Sequence, residues 1–169
     1  MNNSTLCELN DATDSLTLRR TFGCFPSGVA AVCAQVDNAP LGLLVSSFTS
    51  VSLEPPLVSI CIMNGSRRWE MLKEAPRLGL SFLGDGQEKE CKQLAGPIEK
   101  GFDGVEYETT GEGAILVNEA TAWLDCSLHQ EFDAGDHTIA LLRIEALNSR
   151  PTLTPLVFHN SQFHRLAAL

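Results

Sequence analysis

Residues 45–58, Val-Ser-Ser-Phe-Thr-Ser-Val-Ser-Leu-Glu-Pro-Pro-Leu-Val, set five hydroxyl side chains (Ser46, Ser47, Thr49, Ser50, Ser52) into a strand-like run that Pro55-Pro56 ends. A strand buried for packing alone alternates apolar and polar residues, or is apolar throughout. Here hydroxyls stand where core residues would be expected. Hydroxyls and unpaired backbone N–H groups at a strand end suit a polar, phosphorylated small molecule. The same run also reads as a Ser/Thr-rich exposed edge strand.

A second candidate lies just downstream, in Asn64-Gly-Ser-Arg67. Ser66 is in place to cap a helix, and the first turn of a helix offers unpaired N–H groups and a positive dipole end to a phosphate. Gly65 permits close approach of a ligand to the backbone. Arg67-Arg68, and less clearly Arg19-Arg20, are the cations that would gather an anion. They matter because the chain carries a net charge of −9. That charge argues against nucleic acid or an anionic membrane surface as the main partner. His137 stands in Gly135-Asp136-His137, which reads either as a hairpin turn or as part of a site.

The six cysteines (Cys7, Cys24, Cys33, Cys61, Cys91, Cys126) have no C-x-x-C spacing. They are expected to be reduced thiols, most of them buried. The four histidines (His129, His137, His159, His164) lack a metal-site pattern, so no metal is expected. No apolar run is long enough to span a membrane. The N-terminus has neither a basic start nor an apolar stretch, which leads us to expect a cytoplasmic protein.

A chain of 169 residues fits one domain. Residues 1–14 are expected to be a flexible polar N-terminus and 15–169 the single domain. The pattern predicts a helix over 15–25 that Pro26 ends, then a strand over Val29–Val36. After an Asp37–Pro40 turn a second strand is expected over Leu41–Val51. Leu57–Met63 reads as an internal strand, apolar on both faces. A helix follows from Ser66 to about Ala75, then a strand over Arg77–Leu83 and a helix over Gln87–Ala95. Residues 96–118 read as irregular loop with at most one short strand. Thr121–Phe132 and Asp136–Leu147 make a long hairpin through Asp133-Ala-Gly135, and Val157-Phe158 with Phe163–Leu166 a short last one. Strands in hairpins with helices as interruptions predict a mainly β fold, a closed antiparallel Greek-key barrel. No G-x-G-x-x-G follows a strand, which argues against a Rossmann dinucleotide domain.

The serine-rich strand with Pro-Pro combines with Leu18-Arg-Arg-Thr-Phe-Gly-Cys-Phe-Pro-Ser-Gly-Val29, Gly135-Asp-His-Thr-Ile139 and Pro155-Leu-Val-Phe-His159. In this order and spacing the segments resemble the short-chain flavin reductase family, from about Leu18 to Leu166. The resemblance implies an FMN-binding split barrel and an NAD(P)H:flavin oxidoreductase. Its cofactors would be FMN or FAD, with NADH or NADPH as co-substrate. It further implies a homodimer that supplies reduced flavin to a separate flavin-dependent oxygenase. By the same resemblance Ser46, Ser47, Phe48 and Thr49 line the isoalloxazine and ribityl chain, and Ser50 and Ser52 lie toward the flavin phosphate. Ser66 and Arg67 meet that phosphate. Pro26-Ser27-Gly28 matches the family's Phe-Pro-Thr-Gly segment, with Ser27 in place of Thr. His137 borders the nicotinamide as the catalytic candidate, and Phe163 covers it from the last hairpin. A flavin carrier or sensor without turnover, or a split-barrel enzyme acting on another substrate, would share the serine strand.

Overall fold

The computed structural model describes residues 12–167. The segment expected to be flexible therefore lies largely outside the described residues. Helix α1 (Ser15–Gly23) starts where the Asp14 carboxylate accepts hydrogen bonds from the Leu16 and Thr17 N–H groups. It buries none of its residues, and its apolar Leu16 and Phe22 are exposed.

Twelve strands follow or interleave. They are β1 (Ser27–Gly28), β2 (Ala30–Val36), β3 (Ala39–Val45), β4 (Thr49–Leu53), β5 (Pro56–Met63), β6 (Leu78–Phe82), β7 (Tyr107–Thr109), β8 (Ile115–Val117), β9 (Ala122–Ala134), β10 (His137–Ser149), β11 (Leu156–His159) and β12 (Gln162–Arg165). Helices α2 (Arg67–Leu72) and α3 (Glu88–Ala95) lie on either side of β6 in the sequence. Asp37 and Asn38 both take positive φ, 50° and 64°, and so make a two-residue turn between β2 and β3 without a glycine.

The main sheet has seven antiparallel strands in the order β3-β2-β6-β9-β10-β5-β4. Alternate residues from six of them fill one interior with Trp69 and Leu72 of α2: Val32, Leu43, Ile60, Leu80, Cys126 and Leu142 are examples. The other face of β2 and β6 is covered by Cys91 and Leu94 of α3, by Ile115 and Val117 of β8, and by Leu156. Burial pushes the Cys33, Cys91 and Cys126 thiols up to about 12, so these three are inert packing groups.

Three expectations need correction. The strand expected over Leu41–Val51 is broken, because Ser46–Phe48 leaves the ladder between β3 and β4. The barrel is not closed by backbone pairing, since β3 and β4 end the sheet as its two edges. At that gap a side chain does what a strand would do. Ser47 Oγ accepts from the Cys61 N–H at 2.8 Å and donates to the Cys61 carbonyl at 3.1 Å. Finally, residues 96–118 hold more than loop and one short strand. They hold a 3₁₀ turn (Ile98–Lys100) and the β7–β8 hairpin, which supplies Ile115 and Val117 to the core.

Candidate functional site

The break at Ser46–Phe48 leaves space on both sides. One cleft, of about 470 Å³, lies between the ends of β3 and β5 and the start of α2. Ser46, Ser47, Asn64, Gly65, Ser66 and His137 are among its lining residues. A second cleft, of about 360 Å³, is lined by Ser27, Gly28, Phe48, Phe82 and Pro155 among others. Ser46 lines both, so the clefts meet at the start of the hydroxyl run.

Each wall has a local cause. Ser66 caps α2, its Oγ accepting from the Trp69 N–H at 3.4 Å. Gly65 takes φ +78°, and a Cβ there would meet nothing within 4 Å, so ligand atoms can approach the backbone. Phe48 packs edge-on against Phe82, ring centroids 4.6 Å apart, which fixes one wall of the second cleft. Ser27 is held by pairing of β1 with β11, opposite Phe158.

His137 is the first residue of β10. It is paired with Met63 of β5 on one side and Ala134 of β9 on the other. Its Nδ1 is 2.8 Å from Asp136 Oδ1, and this hydrogen bond holds the Asp136 carboxyl below the usual carboxylate range. Asp136 accepts from Nδ1–H in this arrangement, which leaves Nε2 as the other polar atom of the ring.

The hydroxyl run does not act as one surface. Ser47 spends its hydroxyl on Cys61, so it can meet a ligand chiefly through its backbone. Thr49, Ser50 and Ser52 lie on β4, outside the lining of both clefts. The ladder sets Ser52 opposite Leu57, whereas Ser66 follows Met63 at the far end of β5. That separation is about 20 Å at about 3.3 Å per residue. Ser52 and Ser66 of one chain therefore cannot hold the same phosphate.

Of the cations, Arg68 is already used, because its guanidinium donates to the Leu94 and Gly96 carbonyls at the end of α3. Arg67 is exposed and makes no ion pair among the described residues. Helix α2 is six residues long, so the pull on an anion falls to the Arg67 charge rather than to a long helix dipole. Phe163 packs on Phe158, ring centroids 5.5 Å apart, and lies outside the lining of either cleft. Asn64, which opens the candidate segment Asn64–Arg67, also lines the first cleft; the sequence gives its side chain no role beyond its place before Gly65.

The arrangement is a two-part cleft with bare backbone, hydroxyls, one aromatic wall, a free arginine beside one end and an oriented histidine. It has no nucleophile–base pair and, among the described residues, no cluster of metal ligands. It is suited to holding ligands that bring their own reactive atoms.

The comparisons with known proteins agree with this. The flavin reductase like domain model matches residues 22–167. An NADH-dependent FAD reductase of Streptomyces globisporus is 38% identical over 165 residues, covering 95% of this chain and 90% of that protein. The solved NADH:FAD oxidoreductase of Streptomyces globisporus in complex with NAD and FAD fragments superposes with a TM-score of 0.88 at 37% identity, covering 95% of this chain and 97% of the other. The flavin reductase component of a bacterial two-component tryptophan halogenase superposes with a TM-score of 0.83 at 32% identity, covering 92% and 100%. With the fold and the sequence match both spanning nearly the whole chain, this protein belongs to the flavin reductase-like domain family.

Proposed function

We propose that residues 15–169 act as one split-barrel domain that uses NADH or NADPH to reduce FMN or FAD and passes reduced flavin to a separate flavin-dependent oxygenase. The observation that carries this is the pair of clefts joined at Ser46, in a chain that matches flavin reductases over nearly its full length. NADH is the co-substrate named for the 38%-identical relative. The donor set fits a flavin: backbone groups and hydroxyls for the ring and ribityl chain, and Ser66 with Arg67 for a phosphate. A bound flavin would supply the hydride-accepting ring, and the protein's own residues would position the two rings and exclude water. His137 borders the nicotinamide. The terminal hairpin carrying Phe163 backs the Ser27 side of the site.

The test is to mix the protein with NADH and excess FMN or FAD and follow nicotinamide absorbance. Loss that requires flavin is expected. Flavin binding with NADH left intact would instead indicate a carrier or sensor.

The phosphate assignment gives a second measurement. Arg67→Ala is expected to weaken FMN binding by about 1–3 kcal/mol, the range for losing a charge-assisted hydrogen bond. Riboflavin, which has no phosphate, should lose less. Equal losses for the two would move Arg67 out of the phosphate site.

We also infer a homodimer. Strands β5 and β10 put Val58, Ile60, Ala140 and Leu142 into the core, while Leu57, Cys61, Ile139 and Leu141 on their opposite face are only half-buried. Val51 and Leu53 on the edge strand β4, Phe132 on β9 and Leu147 on β10 are exposed on the same sheet, Leu53 by 95%. An apolar sheet face of this kind is covered economically by a second copy across a two-fold axis. The mass in solution at micromolar concentration should be that of two chains; a single-chain mass would reject the dimer. The five described cysteines are all free thiols, which suits a reducing cytoplasmic setting.

A further inference from the structure

We propose that Asn64 is a positioning residue for the nicotinamide side of the site, acting as a clamp that holds the His137 turn. The inference rests on the reductase reading. Its basis is a set of three hydrogen bonds between segments more than 70 positions apart in the chain. Asn64 Nδ2 donates to the Gly135 carbonyl at 3.0 Å. Asn64 Oδ1 accepts from Thr138 Oγ1 at 2.9 Å. The Asn64 backbone N–H donates to the Asp136 carbonyl at 3.0 Å.

These bonds act where the ladder stops. The last β5–β10 pair is Met63 with His137, and beyond it Gly135 turns with φ +71°. Without the Asn64 side chain, the turn beyond this pair is an exposed two-strand end held at position 64 only by the backbone bond to Asp136. With it, Gly135 and Thr138 are tied to the Asn64 side chain and Asp136 to its backbone N–H, and His137 sits between the tied positions. The same residue is followed directly by Gly65 and Ser66, which lead into α2. One side chain therefore sets the distance between the Ser66–Arg67 end of the cleft and the His137 end.

Stability is not the main reason for such a clamp. The side-chain bonds are solvent-exposed, and exposed hydrogen bonds exchange cheaply with water. Geometry is the better account, because small misplacement of a positioning group is costly to rate. The amide also has both polar ends engaged within the protein, so direct ligand contact is not what satisfies it.

Asn64→Ala is expected to lower kcat/KM for NADH by about tenfold, a fraction of the loss possible from mispositioning. Flavin affinity should change less than about twofold, and the thermal midpoint should stay near wild type. Thr138→Val, which removes one bond, should cost about threefold. In a His137→Ala background, Asn64→Ala should cost nothing further, because the clamp works through that ring. Amide hydrogen exchange over residues 134–138 should quicken in Asn64→Ala while the rest of β9 and β10 is unchanged. Unchanged NADH kinetics, an equal loss of flavin affinity, full additivity with His137→Ala, or unchanged exchange in the turn would each overturn the proposal. The reductase reading fails separately, if wild-type protein oxidises no NADH in the presence of flavin; the exchange measurement then still decides whether Asn64 holds the turn.

Discussion

Replacing His137 with alanine is expected to lower kcat/KM for NADH by up to about 10²-fold, the scale of loss when a positioning contact is removed. Flavin affinity should move by less than about 1 kcal/mol, because the rest of the flavin-facing lining is untouched. The asymmetry follows from the chemistry. Hydride transfer from nicotinamide to flavin needs no proton from the protein at the nicotinamide, so on the proposed reading the work left to His137 is to place a ring and exclude water. Its geometry suits that task. The imidazole lines the cleft, and its Nδ1 is fixed on Asp136 Oδ1 at 2.8 Å. Steady-state kinetics with NADH varied, together with a flavin titration, separates the two quantities. Unchanged turnover and unchanged NADH affinity would return His137 to an ordinary hairpin residue. They would also remove the main reason for a second ligand beside the flavin.

What could be read in the sequence was local. The Ser66 cap, the turn expected over Asp37–Pro40, which tightens to Asp37-Asn38, and the long β9–β10 hairpin are signalled by neighbouring residues and appear close to where they are expected. What could not be read depends on partners distant in the chain. The hydroxyl run looks uniform from Ser46 to Ser52, yet it divides into a cleft-lining bend, a structural hydroxyl at Ser47 and an exposed edge strand. That division is set by Cys61, fourteen positions away. Asn64 is an unremarkable polar residue until residues 135–138 are folded against it. The segment 96–118 reads as loop because Gly and Glu dominate it, although the β-branched Ile115 and Val117 hint at a strand. A second hint stands elsewhere: Gly79 lies inside the strand Leu78–Phe82, and an interior glycine often marks close approach of another backbone.

That hint carries the largest stability effect we expect. Gly79 lies in β6, between Cys33 of β2 and Asp125 of β9. A Cβ at this position would stand 2.0 Å from the Ile115 carbonyl oxygen and 2.6 Å from its carbon. Both are backbone atoms, so no side-chain rotation relieves the contact. Strand β8 is also anchored on both sides. The Val117 N–H donates to buried Ser81 Oγ at 2.9 Å, and the Val117 carbonyl accepts from Trp123 Nε1 at 2.7 Å. Moving Ile115 away strains these bonds and opens the packing beneath α3. A Gly→Ala change at an unstrained position would stabilise by about 0.4–1 kcal/mol through the unfolded chain. Here the clash outweighs that gain, and Gly79→Ala should destabilise by about 3 kcal/mol or more, the upper range for overpacking. For a domain of this size that is a fall in Tm of about 6–12 °C. Two other glycines grade the test. At Gly42 the added Cβ meets Cys33 Sγ at 2.7 Å, the end of a side chain, so Gly42→Ala should cost less. At Gly86 nothing lies within 4 Å, and Gly86→Ala should stay within about 0.5 kcal/mol of wild type. Urea unfolding of the three variants orders them. If Gly79→Ala is no worse than Gly86→Ala, then β8 does not lie against β6, and the 96–118 segment is the loop its composition suggests.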